Sequence, residues 1–435
     1  MSKGEILWFS DSPMAPTGLG TVARGLMKNL MHDWDITCFA ANHTDTSEKI
    51  NEFWGAGVNF IPSKTKRDFY GREKIIDMIK NGVVSPDIIF LYNDHFVLSK
   101  KIQFELRGEK KTGSFIDILR RYADEIGAKI VTYFPVDTRP YLGDVAPVVK
   151  YSHRSITFTE WAMDEVDDVL QNALKSNETH KELVGKTEYI YHGTDRQDWH
   201  KLTDLENENF FELMEGDLVK PENYIVSYVG GHNVRKQIPR DVFEPFARFA
   251  SDHEDAVLLI KCPQKQEEYW DLPKLANRIC HENGARPNQI VFMQHGNQYV
   301  TQEMIRHLYN IADLLYLPSQ EGWGLPVTEA MACGTLTMVG EHAALSEVGG
   351  DGRSIKVDIP QNANNRIYPI ASKSMRRTVV DINDAVEKLE MAYNMPEQEE
   401  AEITQKAFSF IKKHSFDRKA EEFDQIFTEE MFNEQ

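Results

Sequence analysis

The run Leu317-Pro318-Ser319-Gln320-Glu321-Gly322-Trp323-Gly324-Leu325-Pro326-Val327-Thr328-Glu329-Ala330-Met331-Ala332-Cys333-Gly334 limits what this chain can fold into more than any other part of it. It is entered from an apolar segment, Ala312 to Leu317, that reads as a buried strand. Gly322 and Gly324 let the backbone turn sharply and come close to a ligand with no Cβ in the way. Pro326 suits the first helical position, where its missing N–H is no loss, and Gly334 fits the stop just past a short helix. Strand, glycine elbow and helix start together make an anion site. Unpaired backbone N–H groups point outward there, with the positive end of the helix dipole behind them.

Two carboxylates sit in that frame, Glu321 in the loop and Glu329 in the helix, with seven residues between them. An ionised carboxylate accepts hydrogen bonds and cannot donate, so a facing pair suits the hydroxyls of a sugar or a ribose. The spacing alone describes a solvated loop glutamate and a helical surface glutamate; the strand, elbow and helix around it make it specific.

The chain has 435 residues, which suggests two domains. It has no run of ~18 apolar residues that would span a membrane, and Met1-Ser2-Lys3-Gly4-Glu5 lacks the apolar core of a signal peptide. Cys38, Cys262, Cys280 and Cys333 are far apart and form no C-x-x-C pair, so the expectation is a soluble cytoplasmic protein with inert thiols and no structural zinc. The net charge of −19 disfavours a surface given over to nucleic acid or anionic lipid, while leaving room for a locally basic groove. Basic residues gather at Lys64-Thr65-Lys66-Arg67 and along Lys100-Lys101, Arg107 and Lys110-Lys111; such runs read as solvated loop faces.

In chain order, Ile6 to Ser10 reads as a buried strand and Thr17-Gly18-Leu19-Gly20 as the opening of a helix. Gly18 to Ala23 formally matches the dinucleotide fingerprint G-x-G-x-x-A. Seven residues, two of them prolines, separate it from the strand, and no acidic residue ends the second strand at Ala41-Asn42-His43. A dinucleotide reading is therefore rejected. What survives is a glycine loop able to approach a bulky anionic group. Further strands are expected at Val58 to Pro62, Pro86 to Tyr92, Lys129 to Phe134, Ser155 to Phe158 and Glu188 to Tyr191, with Thr159 as a helix N-cap. Strands alternating with helical segments predict an α/β fold, a parallel sheet with helices on both faces. Ligands bind beyond the carboxyl ends of such strands, which makes Asp94, His95 and Asp137 candidates there.

The pattern breaks in the acidic segment Leu202 to Asp217, the expected interdomain linker. It restarts with Ile225 to Gly231, then His232-Asn233-Val234-Arg235-Lys236-Gln237 and a helix from Pro239. Arg offers a planar fork and Lys a point charge, the two ways of holding phosphate oxygens. Strands at Ala256 to Lys261 and Gln289 to Met293 complete a second doubly wound domain before the elbow. Residues 353 to 378 read as an insertion; Asp381 to Tyr393, Glu397 to Lys413 and Phe416 to Phe432 read as helices.

Ser319 to Gly334, with a strand before it and Leu336 to Val339 after it, resembles the donor-site signature of the retaining GT-B glycosyltransferases of the glycogen-synthase and sucrose-synthase type (group 1). The strand, glycine and Arg235-Lys236 pair resembles the pair that grips the donor diphosphate in that family, and Thr17-Gly18-Leu19-Gly20 is similar to its first glycine loop. The resemblance implies two Rossmann-like domains facing across a cleft, at 1–205 on the acceptor side and 206–415 on the donor side, with 416–435 crossing back onto the first. It implies transfer of a sugar from a nucleotide diphosphate sugar, UDP-linked by preference, to an acceptor hydroxyl with retention, needing no metal or other cofactor. Arg235 and Lys236 would neutralise the departing phosphate, Glu321 would hold sugar hydroxyls and Glu329 the ribose diol. Gly18, Gly20, Gly231, Gly322, Trp323, Gly324 and Leu325 would line the donor. Where the family often has a histidine beside the reacting sugar, this chain reads Phe134-Pro135-Val136-Asp137; Asp137 or His95 takes that place. The acceptor stays open between a glycan, a lipid-linked intermediate, a small metabolite and a hydroxymethylated DNA base, the last seated by a basic loop from Lys100 to Lys111. A non-catalytic sugar-nucleotide sensor, or an epimerase or phosphorylase of the same fold, are the other classes. The sequence says nothing of oligomeric state.

Overall fold

The structure is a computed structural model. It describes residues 2–432 apart from 44–46, 56, 67, 107–108, 138–144, 173–179, 208–218, 233–235, 265–270, 294–299, 361–365 and 369–374. The chain divides into two units: Met1–Val136, Pro140–Gly193 and His414–Gln435 form the first, Asp137–Arg139 and Thr194–Lys413 the second.

The first unit is built on β1 (Glu5–Asp11), β2 (Asp35–Ala41), β3 (Val58–Pro62) and β4 (Ile88–Tyr92). After a separate hairpin, β5 (Lys101–Leu106) and β6 (Glu109–Ser114), come β7 (Lys129–Phe134), β8 (Arg154–Thr157) and β9 (Thr187–Tyr189). The main sheet runs β3-β2-β1-β4-β7-β8-β9 with every pairing parallel. Parallel strands are buried on both faces, and accordingly all five residues of β4 are buried.

The two faces carry different cores. Leu7, Phe9, Ile89, Leu91 and Ile130 point one way and pack against Phe115, Ile116 and Leu119 of the helix Phe115–Ile126. Trp8, Phe90, Tyr92 and Tyr133 occupy the alternate positions. They are covered by the helix Phe416–Phe432, whose Phe423 and Phe427 stand edge-on to Phe90 at 5.2 and 5.3 Å. Asp424 on that helix accepts from Trp34 Nε1 at 2.8 Å and pairs with Lys3 at 2.7 Å. Gly25, in the helix Gly18–Leu30, has no room for a Cβ because the Phe416 ring lies 2.4 Å from where it would sit.

The second unit holds β10 (Tyr224–Val229), β11 (Ala256–Lys261), β12 (Ile290–Phe292), β13 (Leu314–Leu317), β14 (Leu336–Gly340) and β15 (Ile355–Val357). Their order is β12-β11-β10-β13-β14-β15, again all parallel. A small antiparallel hairpin, β16 (Arg366–Tyr368) with β17 (Met375–Arg377), follows. Both halves are thus Rossmann-like α/β sheets. The order of strand addition reverses between β1 and β4 in one and between β10 and β13 in the other, and ligands enter such sheets beyond the strand ends at these switch points.

Two readings of the sequence need adjusting. The basic segment expected as a loop from Lys100 to Lys111 is the β5–β6 hairpin. The 353–378 insertion contains the sixth strand of the second sheet, too short at three residues to show periodicity. Most of the expected linker, 208–217, lies outside the described residues, as does Arg67. All four cysteines are buried, and burial pushes the Cys262 thiol up to about 12 and Cys280 up to about 11. Among the described residues no helix is long and apolar enough to cross a membrane.

Truncating Phe427 to alanine should destabilise the chain by about 3–5 kcal/mol in urea unfolding, since its cavity opens against Phe90 and Trp34. A pH dependence follows from His153, whose Nδ1 accepts from Ile130 N at 2.8 Å and must stay unprotonated to do so. Burial, then Arg120 and Lys129, lower its pKa from 6.5 to about 4. The unfolded chain therefore takes up this proton first, and stability present above pH 6.5 is lost as pH falls toward 4. Urea midpoints measured between pH 7 and 4 should fall less steeply for His153→Asn, whose amide oxygen keeps the acceptor without the titration.

Candidate functional site

β10 and β13 are neighbours, so the loops leaving their carboxyl ends meet at the switch point of the second unit. The first loop delivers Lys236 and the second delivers Ser319 and Glu321. The Lys236 ammonium is bonded to Oε1 of Glu321 and lies 3.5 Å from Ser319 Oγ. Ser319 donates to the same Glu321 oxygen at 2.7 Å. The two charged side chains are only 12% and 21% exposed, an environment in which an unpaired charge would be expensive. A cation and a carboxylate are therefore held together at the place where an α/β sheet receives its ligand. Arg235 lies outside the described residues, and Gly231, just before it, is exposed.

The elbow that carries Glu321 is fixed from several sides. Its first carbonyl, Pro318 O, is 3.0 Å from Nε2 of the buried His342. Gly340 must be glycine there, because a Cβ would lie 2.7 Å from that ring nitrogen and 2.9 Å from Pro318 O. Trp323 is 3% exposed and stacks on Phe410 at 6.4 Å, so it anchors the loop into the unit. Arg353 lies 4.4 Å from the same Phe410 ring while its guanidinium caps Val348 O and Glu347 O. Gly324 takes φ +96°, a left-handed conformation open to glycine, and is the N-cap of the helix Leu325–Cys333. Leu325 is the first helical residue and Pro326 the second, one position later than expected; its missing N–H is still among the unpaired ones. Gly334 ends the helix at φ +85°.

Glu329, half-buried on that helix, accepts a hydrogen bond from Tyr309 OH at 2.9 Å. Tyr309 and His342 carry no signal in the sequence. Each acts on a residue about twenty positions away, through packing that only the assembled sheet creates.

In the first unit, Asp11 ends β1 and Asn93 follows the adjacent β4; Asp137 comes three residues after β7, where the chain passes into the second unit. Thr17 caps the helix Gly18–Leu30 by accepting from Gly20 N at 3.0 Å, and donates to Asp11 Oδ2 at 2.7 Å. Gly18 is exposed at the helix start. Gly20 is buried, and a Cβ there would lie 2.5 Å from Ala15 O, so its smallness serves the turn beneath it. His95 begins the short helix His95–Leu98, half-buried with its ring edge-on to Phe96 at 5.6 Å; Asp137 is also half-buried. Asn93 was not foreseen. It is 1% exposed, its Oδ1 accepts from Asp94 N at 2.9 Å, and among the described residues its Nδ2 has no partner.

Residues 212–367, containing Lys236, Glu321 and Glu329, match the model of the family described as Glycosyl transferases group 1. No curated protein matches the chain as a sequence. Solved structures match it along its length. A glycosyltransferase from Rickettsia africae superposes with a TM-score of 0.68 at 14% identity, covering 100% of both chains. HepE from Anabaena, in complex with UDP-glucose, gives 0.66 at 13% identity, covering 98% of this chain and 99% of its own. Sucrose-phosphate synthase from Thermosynechococcus elongatus gives 0.64 at 13%, covering 97% and 98%. At these identities the likeness shows the fold, which is GT-B.

Gly324→Ala should lower the melting temperature and loosen the elbow, because a methyl there meets Leu345 Cδ2 at 2.5 Å and the residue sits at φ +96°. The strain is of order 1–3 kcal/mol. Gly127→Ala, also at positive φ but with nothing within 4 Å of the added methyl, should lose less; thermal melts of the two variants compare them.

Proposed function

We propose that the chain is a retaining glycosyltransferase, moving a sugar from a nucleotide diphosphate sugar to an acceptor hydroxyl without a metal ion. The observation that carries this is the Lys236–Glu321–Ser319 group at the switch point of a domain matching the group 1 glycosyl transferases. As the sugar–phosphate bond ionises, negative charge grows on the leaving phosphate. Lys236, Arg235 and the amino end of the helix Leu325–Cys333 supply positive potential to meet it. Glu321 holds the ammonium in place beforehand and accepts from sugar hydroxyls, while Glu329 accepts from the ribose. With the sugar held from one side, the acceptor hydroxyl attacks on the face that the phosphate leaves, and the phosphate takes its proton. That course retains configuration and uses no carboxylate nucleophile. The UDP-glucose held by HepE, of the same fold, supports a UDP-linked donor.

The second unit is then the donor side and the first the acceptor side. Asp137 and His95, at the ends of neighbouring strands, are the groups proposed to meet the reacting sugar, with Gly18 and Gly20 framing the loop beside it. The acceptor is a glycan, a small molecule or a modified base, and the protein works in solution in the cytoplasm.

A thermal-shift panel of nucleotide sugars checks the donor: at a hundredfold excess over Kd the right one stabilises by about 2.7 kcal/mol. Lys236→Ala should then lower kcat/KM by about 100-fold or more, measured as nucleoside diphosphate released in the presence of acceptor. Turnover left intact by charge removal at both Arg235 and Lys236 would sink the assignment.

A further inference from the structure

The fully buried phenol of Tyr309 has its hydroxyl 2.9 Å from Glu329 Oε2. We propose that Tyr309 is a positioning residue that orients the Glu329 carboxylate, and that the pair makes the site selective for ribonucleotides over deoxyribonucleotides. The inference rests on the reading of Glu329 as the ribose ligand and adds a residue to it.

Tyr309 is placed with little freedom. It lies in the last turn of the helix Gln302–Ile311, where its carbonyl oxygen accepts from Thr335 Oγ1 at 2.6 Å. Its ring meets Trp199 edge-on at 5.6 Å. Thr335 follows Gly334, the residue that ends the Glu329 helix, so one hydrogen bond ties the two helices close to the Tyr309–Glu329 contact. A buried hydroxyl must bond to something, and this one has the carboxylate within reach. Burial and the nearby Glu329 charge push the phenol well above its ordinary range, so it stays a proton donor at any working pH.

The consequence is chemical. A glutamate on a helix surface has three rotatable bonds, and a ligand that needs its carboxylate must first select one rotamer. With Oε2 held by the phenol, the carboxylate plane is set before the nucleotide arrives, and a donor approaching it meets an acceptor already aimed. A ribose hydroxyl satisfies that acceptor. A deoxyribose lacks the hydroxyl that this carboxylate is set to accept from and so loses that hydrogen bond, which is how a site built for a hydroxyl rejects the analogue lacking one.

The test uses the intact chain and titration calorimetry with UDP and its 2′-deoxy and 3′-deoxy forms. Tyr309→Phe removes one oxygen and keeps the ring. It should weaken UDP binding by about tenfold, the size of a hydrogen bond to a charged group, and weaken the deoxynucleotide that lacks the recognised hydroxyl by less than about twofold. Glu329→Gln should show the same preference collapse. The double variant should be no weaker than Glu329→Gln, because the phenol acts through the carboxylate. Equal losses on UDP and both deoxy forms in Tyr309→Phe, or additive losses in the double variant, would overturn the positioning role. If Glu329→Gln itself affects all three nucleotides equally while Lys236→Ala still abolishes their binding, the ribose assignment of Glu329 fails, and the diphosphate reading of the site stands.

Discussion

The ion pair between Lys236 and Glu321 is the contact on which the arrangement of loops at the carboxyl edge of the second unit's sheet depends. It joins two loops that are 85 residues apart in sequence, and both partners are largely withdrawn from water. Neither charge would rest there without the other. Their meeting follows from one topological fact, the adjacency of β10 and β13, which places two strand ends side by side where the winding of the sheet reverses. The supports around the elbow then make sense as a set. His342 holds the carbonyl at its entrance, Phe410 holds the tryptophan in its middle, and Gly324 supplies the backbone conformation at its exit. Each fixes the position from which Glu321 reaches the lysine. A preset arrangement of charge is worth more than a mobile one, since no reorganisation is needed when a ligand's own charge develops.

The first unit repeats the plan with different chemistry. Its strand ends carry Asp11 and Asn93 in place of a lysine, side chains whose oxygens accept hydrogen bonds, with one amide Nδ2 left over among the described residues. Thr17 spans two roles, capping a helix with the same oxygen that steadies Asp11. The sheet beneath is buried on both faces, and one of those faces is completed by the last helix of the chain. Trp8, Phe90, Tyr92 and Tyr133 would otherwise present a broad aromatic surface to water. The helix Phe416–Phe432 is thus part of the first unit's core, with Phe423 packed on Tyr133 of a strand more than 280 residues earlier.

How much of this could be read from the sequence varied with the range of the interaction. The elbow was legible because its signals are local: an apolar strand, two glycines, a proline near the helix start and a glycine at its end, each tied to a backbone conformation that few other residues adopt. The long parallel strands were legible for the same reason, as continuous apolar runs. The β5–β6 hairpin was half visible: Ile102, Phe104 and Leu106 alternate with polar residues along β5, but Glu109 to Ser114 offers no apolar residue, and the basic side chains between them look like solvated loop. β15 was hidden because three residues give no period to detect.

By itself, then, the sequence determined the α/β class, the succession of most strands and helices, and the residue types at the strand ends, since all of these rest on chemistry within a few residues. Only the tertiary structure decided which of those residues meet. It paired Lys236 with Glu321 and set Ser319 on the same carboxylate oxygen, gave Glu329 a tyrosine and Pro318 a histidine, buried Trp323 instead of offering it to solvent, and turned Gly20 into a packing residue. The physical reason is sheet order. Neighbours in a doubly wound sheet are separated by long crossovers, so the contacts at its carboxyl edge are fixed by the winding of the whole domain and by no short stretch of chain.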